Sequence, residues 1–168
     1  MPEAIVPATA TPKLTHLNHN GEAQMVDIAG KTPTHRTAVA QAEVTMLPAL
    51  VSTLAHLPKG DALACARIAG IMAAKKTAEL IPLCHPLLLC KIDIQFELNP
   101  AEGKVLIRAL CKVEGSTGVE MEALTAVSIA ALTLHDMAKA ADPAIEINHI
   151  HLCEKLGGKS GHWRRAHV

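Results

Sequence analysis

"KIDIQFELNPAEGKVLIRALCKVEG", residues 91–115, alternates apolar and polar side chains twice, once on each side of a turn. In the first half Ile92, Ile94, Phe96 and Leu98 share one face, and Lys91, Asp93, Gln95 and Glu97 the other. That period of two marks a half-buried strand. In the second half Val105, Ile107, Ala109, Cys111 and Val113 fall together. Between them NPAEG offers Asn, Pro and Gly, residues whose backbone preferences suit a turn. The two halves read as an antiparallel hairpin, and a hairpin with one apolar face needs a cover.

The flanking sequence supplies that cover. A short helix is expected near residues 47–56. A longer one follows Asp61 and stops at Ile81-Pro82, where proline lacks an N–H and disfavours a helical predecessor. A third opens at GSTGVEMEAL: Thr117 followed three residues later by Glu120 has capping-box spacing, and alanine-rich sequence continues to about Ala141. AQMVDIAG (23–30), TAVAQAEVTM (37–46) and AIEINHIHLC (144–153) are further strand candidates. Strands and helices without strict alternation predict an α+β sandwich, helices laid on one antiparallel sheet.

Composition bounds the function. The 168 residues show no internal repeat and no dividing linker, so residues 14–168 are expected to form one domain after a Pro-, Ala- and Thr-rich extension at 1–13, expected to be flexible. Hydrophobic residues make up 49% of the chain and mean hydropathy is +0.23, a supply rich enough to predict burial between subunits, hence a homo-oligomer. Phe96 and Trp163 are the aromatics and tyrosine is absent, which leaves no base-stacking platform. Sixteen basic residues balance sixteen acidic ones, which disfavours nucleic-acid and membrane-surface partners. Five cysteines without a C-x-x-C pair, and no secretory leader pattern, read as a reduced, cytoplasmic protein. A small-molecule ligand is the expectation.

Several residues could carry its chemistry. On the third helix Glu122, Thr125, Ile129, Leu132, Asp136 and Lys139 recur at spacings of three and four and project along one stripe. Asp136 and Lys139 are either a surface ion pair or members of a site, and spacing leaves both open. Glu120 has a ready explanation as the capping partner of Thr117; Glu122 has none, and its carboxylate suits the N–H donors of a guanine-like or pterin ring. Lys59, before Gly60-Asp61, stands where a helix start favours phosphate. In LIPLCHPL Pro82 and Pro86 make a rigid corner around Leu83, Cys84 and His85; the alternatives are a core histidine and one aimed into a pocket. EKLGGKSG (154–161) departs from a phosphate-binding P-loop, having Cys153 where the first glycine belongs, yet Lys155 and Lys159 on a flexible glycine strand suit an anion. His149, His151 and Cys153 alternate and are expected on one strand face, the basis of a second reading as a metal- or ligand-binding oligomer.

Taken together, MVDIAGK, T-x-R-x-A at 34–38, KGD, ARIAGIMAAKKT, LIPLCHPL, TGVEMEALTA, HDMAKA and GGKSG resemble the cyclic pyranopterin monophosphate synthase family, the molybdenum cofactor biosynthesis protein C family, over about residues 14–161. The resemblance implies a ferredoxin-like α+β fold, a hexamer built as a trimer of dimers, and active sites at subunit interfaces. It implies a lyase that converts 3′,8-cyclo-7,8-dihydroguanosine 5′-triphosphate to cyclic pyranopterin monophosphate and releases pyrophosphate. By the same resemblance Asp136, Lys139 and Lys59 are catalytic. Leu83, Cys84, His85, Met121, Glu122, Glu120, Arg36 and Lys155 bind substrate. No resident cofactor or metal is implied; whether Mg²⁺ accompanies the triphosphate stays open. Two departures from the family pattern are His135, where an aromatic often precedes the aspartate, and Ser116, where a lysine often stands.

Overall fold

In the computed structural model, which describes residues 16–159 and 161–166, the alternating stretch is a hairpin of β2 (Leu89–Asn99) and β3 (Lys104–Gly115), with Leu98 opposite Val105 and Asn99 opposite Lys104. All five inward residues of β3 are buried, because β3 is flanked on both sides. On β2, at the sheet edge, Ile94 alone of its alternating set is fully buried. The remaining strands are β1 (Thr34–Thr45), β4 (Glu146–Leu156) and the short β5 (Trp163–Arg164), in the order β2-β3-β1-β4-β5, every neighbouring pair antiparallel. The extension expected at residues 1–13 lies outside the described residues.

The helices are α1 (Pro48–Val51), followed by a 3-10 turn at Leu54–His56, then α2 (Ala62–Lys75), α3 (Thr77–Leu80) and α4 (Glu120–Ala138). Read as β1-α2-β2-β3-α4-β4 with the first four strands ordered 2-3-1-4, this is the ferredoxin-like split βαβ arrangement. It is the α+β sandwich that the patterning predicts. Both long helices pack on the sheet, α4 over Ala38, Ala40, Ala42 and Val44 of β1 and the inward residues of β3, and α2 against β2 and α4. An alanine-lined face brings a helix close, and Ala123, Ala126, Ala130 and Ala131 of α4 are fully buried.

Contact between α2 and α4 is closer still at Gly70. A Cβ there would lie 2.8 Å from the Ala126 carbonyl oxygen and 3.3 Å from the Ala130 methyl. Glycine in a helix interior costs roughly 1 kcal/mol against alanine; here it leaves room for a neighbouring backbone.

Three local expectations are corrected. The helix after Asp61, whose carboxylate accepts Ala64 N–H at 2.9 Å as an N-cap, ends at Lys75, and a separate turn forms α3. Thr77, buried there, directs its hydroxyl to the Ala74 carbonyl at 3.0 Å. AQMVDIAG forms no strand: an isolated bridge joins Leu17 and Ala23, and Asp27 takes the Ala29 N–H at 2.8 Å in an Asx turn before Gly30. Such side-chain bonds offer the backbone an alternative to pairing. Finally, α4 starts at Glu120 and ends at Ala138, short of Ala141, and its N-cap is Val119 with no side-chain cap bond.

No helix among the described residues is long and apolar enough to cross a membrane.

Gly70→Ala is expected to lower stability by about 1–3 kcal/mol, as overpacking does, despite alanine's better helix propensity. The shift of the urea midpoint at unchanged m-value measures it.

Candidate active site

The start of α4 lies beside the end of β3, the start of β1, the end of β4 and the corner after α3. Those chain ends carry most of the residues singled out by sequence. Arg36 on β1 donates from Nε to the Gly115 carbonyl at 2.9 Å. Lys155 on β4 reaches Glu120 Oε1 at 3.2 Å. This ion pair explains why the expected capping box does not form: Glu120 turns to a lysine distant in sequence, and Thr117 lines a cavity instead. The backbone at Gly157 and Gly158, both at positive φ, passes so close to Arg36 that any Cβ there would meet the His35 carbonyl and the guanidinium respectively.

That cavity has a volume of about 330 Å³, with Leu83, Cys84, His85, Glu120, Met121 and Glu122 among its walls. His85 is half-buried and its Nε2 lies 2.7 Å from the Val26 carbonyl oxygen. A carbonyl only accepts, so Nε2 carries the proton; in the neutral ring Nδ1 is then the acceptor. On the other side of His85 and Glu122 lies a smaller cavity of about 120 Å³, walled by Lys75, Lys76 and Thr77. The prolines thus aim the imidazole between two cavities, and the core-histidine alternative falls.

Glu122 is 4% exposed. Burial pushes its carboxyl above the ordinary value, opposed by a hydrogen bond from its own backbone N–H, with a further upward push from Glu120. A carboxyl in that setting can take or hold a proton nearer neutrality than a surface glutamate. Cys84 is raised first by burial and then by Glu122, and Cys111 behind it is pushed up to about 12 for the same reasons. Both stay thiols, so Cys84 shapes the wall and is no nucleophile.

The far end of α4 carries a second cluster. Lys139 Nζ lies 2.7 Å from Asp136 Oδ1, and Lys59, from the loop before α2, lies 3.7 Å from Oδ2 while donating to the Asp136 carbonyl at 2.8 Å. Spacing sets Lys59 before a helix start and gives it no partner; the fold brings it to Asp136 across the α2–α4 pair. All three side chains are about half exposed. Lys139's hydrogen bond and charge, then the Lys59 charge, hold the Asp136 carboxyl below the usual carboxylate value. Asp136 is therefore an ionised, solvated carboxylate.

The single stripe on α4 is real but graded, from buried Glu122 and Thr125 to exposed Leu132, Asp136 and Lys139. At 1.5 Å rise per residue its two ionisable ends are about 21 Å apart. One chain thus does not bring its candidate residues into one pocket. It holds two clusters.

The one-face alignment of His149, His151 and Cys153 is also corrected. Register shifts between Val39/Ala40 and Gln41/Glu43 insert bulges opposite this part of β4, and His149 adopts φ 53°. Cys153 is buried with its thiol towards Gln41, and His151 Nε2 is buried without a partner. Among the described residues no group of three or more His, Cys, Asp or Glu is placed to hold a metal ion.

Sequence reading missed His16, Val26 and Lys31, all of which line the larger cavity. Val26 and Lys31 lie in MVDIAGK, most of which falls within the strand candidate AQMVDIAG although its polar turn residues point elsewhere; His16 lies outside that motif.

Residues 25–158 match the sequence model of the MoaC family. The chain is 53% identical over 157 residues, 92% of its length and 98% of the relative's, to a protein of Parvibaculum lavamentivorans named cyclic pyranopterin monophosphate synthase.

A carboxyl whose folded-state pKa is raised contributes stability that is fully present below its unfolded value and lost as pH rises through the folded value. Wild type is therefore expected to lose this contribution on going upward from 4.5, the ordinary glutamate value, while Glu122→Gln does not. The gain of the Gln variant over wild type, followed by urea midpoints across pH, is expected to grow towards neutral pH; a constant difference would count against a raised Glu122.

Proposed function

The chain belongs to the MoaC family, and from that premise we propose that it is a cyclic pyranopterin monophosphate synthase acting in molybdenum cofactor synthesis. In this reading it converts 3′,8-cyclo-7,8-dihydroguanosine 5′-triphosphate to the cyclic pyranopterin and pyrophosphate, as a lyase that breaks a phosphorus–oxygen bond. The observation that carries the reading is the pair of clusters on α4: a triad of Lys59, Asp136 and Lys139 at one end, and a cavity around His85 and Glu122 at the other.

Neither cluster is a site alone. The substrate is a ring system with a triphosphate, and the reaction needs proton transfers at the ring and cations at the phosphates. Two copies related by a twofold axis would set the Asp136 end of one against the His85 end of the other, giving two composite sites. This is the interface position that the apolar excess and the family resemblance predict. We extend it to a hexamer of three dimers.

The roles follow from chemical type. Asp136, ionised and flanked by ammonium groups, takes protons; Lys139, bonded to it, returns them as the five-membered ring opens and the six-membered ring is rebuilt. Ring closure at phosphorus forms a bond from the attacking hydroxyl oxygen to the α-phosphorus, with its proton passing to a base. Pyrophosphate leaves with the electrons of the broken P–O bond, and Lys59, Lys155 and Arg36 offset the charge that develops. Glu122 accepts ring N–H groups, with Leu83, Cys84 and Met121 shaping the wall. A resident cofactor has no part in this scheme; Mg²⁺, if it accompanies the triphosphate, arrives with substrate. The reaction is placed in the cytoplasm, where five cysteines stay reduced.

Asp136→Asn, which removes an acid–base group, and His85→Ala, which removes a substrate-binding one, are each expected to lower turnover at least about 100-fold. Pyrophosphate release from the cyclised dihydro-GTP measures this. Mixing the two variants after subunit exchange is expected to restore up to about a quarter of wild-type turnover, because random pairing makes half the dimers mixed and each mixed dimer has one intact composite site. No recovery despite verified exchange would mean that each chain carries a site of its own.

A further inference from the structure

Residues 16–31 run as a strap across the mouth of the larger cavity. The strap has little hold on the core: Val26 and Ile28 are half-buried, whereas Leu17 is 41% and Met25 52% exposed. Most of its hydrogen bonds are internal. Asn18 Oδ1 accepts the Asn20 and Glu22 N–H groups at 2.9 Å, and Gln24 N–H donates to the His16 carbonyl at 2.8 Å. Among the described residues, two side-chain hydrogen bonds fasten it to the rest of the molecule. His85 Nε2–H donates to the Val26 carbonyl, and Ser116 Oγ donates to the Lys31 carbonyl at 2.9 Å. Ser116 is the position that departs from the family pattern, and here it anchors the strap's last residue.

The tethers leave one charge of this segment to account for. The Lys155 ammonium is paired with Glu120, and Lys59 and Lys139 share Asp136. Lys31 lines the cavity, and among the described residues no carboxylate lies within ion-pair distance of it. The same cavity carries two carboxylates, Glu120 and Glu122. A triphosphate brought to such a wall is repelled unless cations stand with it, and a cation not already neutralised by a protein carboxylate is worth most.

Resting on the synthase reading, we infer that Lys31 is a substrate-binding residue, delivered by the strap and directed at the phosphate end of the substrate. The strap's other contact makes delivery conditional. The Val26 carbonyl occupies His85 Nε2–H, so a substrate that needs this donor must displace it, and the strap shifts as substrate enters. Ser116 is then a positioning residue, fixing the Lys31 backbone while Val26 lets go.

The test is steady-state turnover of the cyclised dihydro-GTP by the full chain, wild type beside Lys31→Met, Lys31→Arg and Asp136→Asn, together with inhibition by inorganic pyrophosphate. Lys31 is exposed, so the variants should fold, which circular dichroism checks. Lys31→Met is expected to raise KM and the pyrophosphate inhibition constant together by about 10-fold or more, the loss of one charge-assisted contact, with kcat within about 3-fold of wild type. Lys31→Arg should recover most of both. Unchanged KM and inhibition in Lys31→Met would overturn the inference, as would a fall in kcat with pyrophosphate inhibition intact, which marks a structural role. The synthase reading fails separately: a folded wild type without turnover, or Asp136→Asn as active as wild type, strikes that reading whatever Lys31 does.

Discussion

The close seating of α4 on alanine, beneath it in the sheet and beside it in α2, is the contact on which the remaining geometry depends. Ala38, Ala40 and Ala42 present a shallow surface, α4 answers with alanines of its own, and Gly70 lets α2 come against the α4 backbone. A helix held along its whole buried face does not bend or slide easily, since close-packed interiors resist small displacements. It therefore acts as a ruler. Glu120 and Glu122 are fixed at one end, Asp136 and Lys139 at the other, and no side-chain rearrangement within one chain closes a gap of about 21 Å.

This rigidity shapes the electrostatics. At the first end, strands and the proline corner shield Glu122 from water, and burial raises its carboxyl. At the other, none of the described residues buries Asp136, so its two lysines dominate and hold its carboxyl low. Two carboxyls on one helix are thus pushed in opposite directions by their surroundings, the arrangement from which an acid and a base can be drawn. Covering the Asp136 end with a second subunit would strengthen its ion pairs by excluding water and would add a desolvation cost to each charge.

How much of this the sequence discloses varies with the range of the forces involved. The hairpin was legible because alternation is a local pattern, and β3 and β1 obey it over their lengths. The α2 start was legible because Asp61 needs nothing beyond its own first turn. The capping box at Thr117 failed because Lys155, distant in sequence, competes for Glu120. The alternation of His149, His151 and Cys153 failed because bulges depend on the register of β4 against β1, which no stretch of β4 contains. The strap failed for a third reason: its backbone bonds run to Asn18, Asp27, His85 and Ser116, and such bonds leave no periodicity. For the site, residue types and their spacing identified the members, but which of them meet, and how wet each is, required the fold.

One consequence follows from the near absence of aromatic side chains. Trp163, paired with Lys155 across β5 and β4 and stacked against the Arg165 guanidinium at 5.9 Å, is the sole indole in a chain without tyrosine. Its emission is uncontaminated by other fluorophores of comparable strength, and it adjoins the strand that carries the lysine bonded to Glu120. The protein has in effect a natural optical reporter beside one wall of its candidate site, so rearrangements of the β4–β5 edge can be followed by fluorescence without attaching a dye.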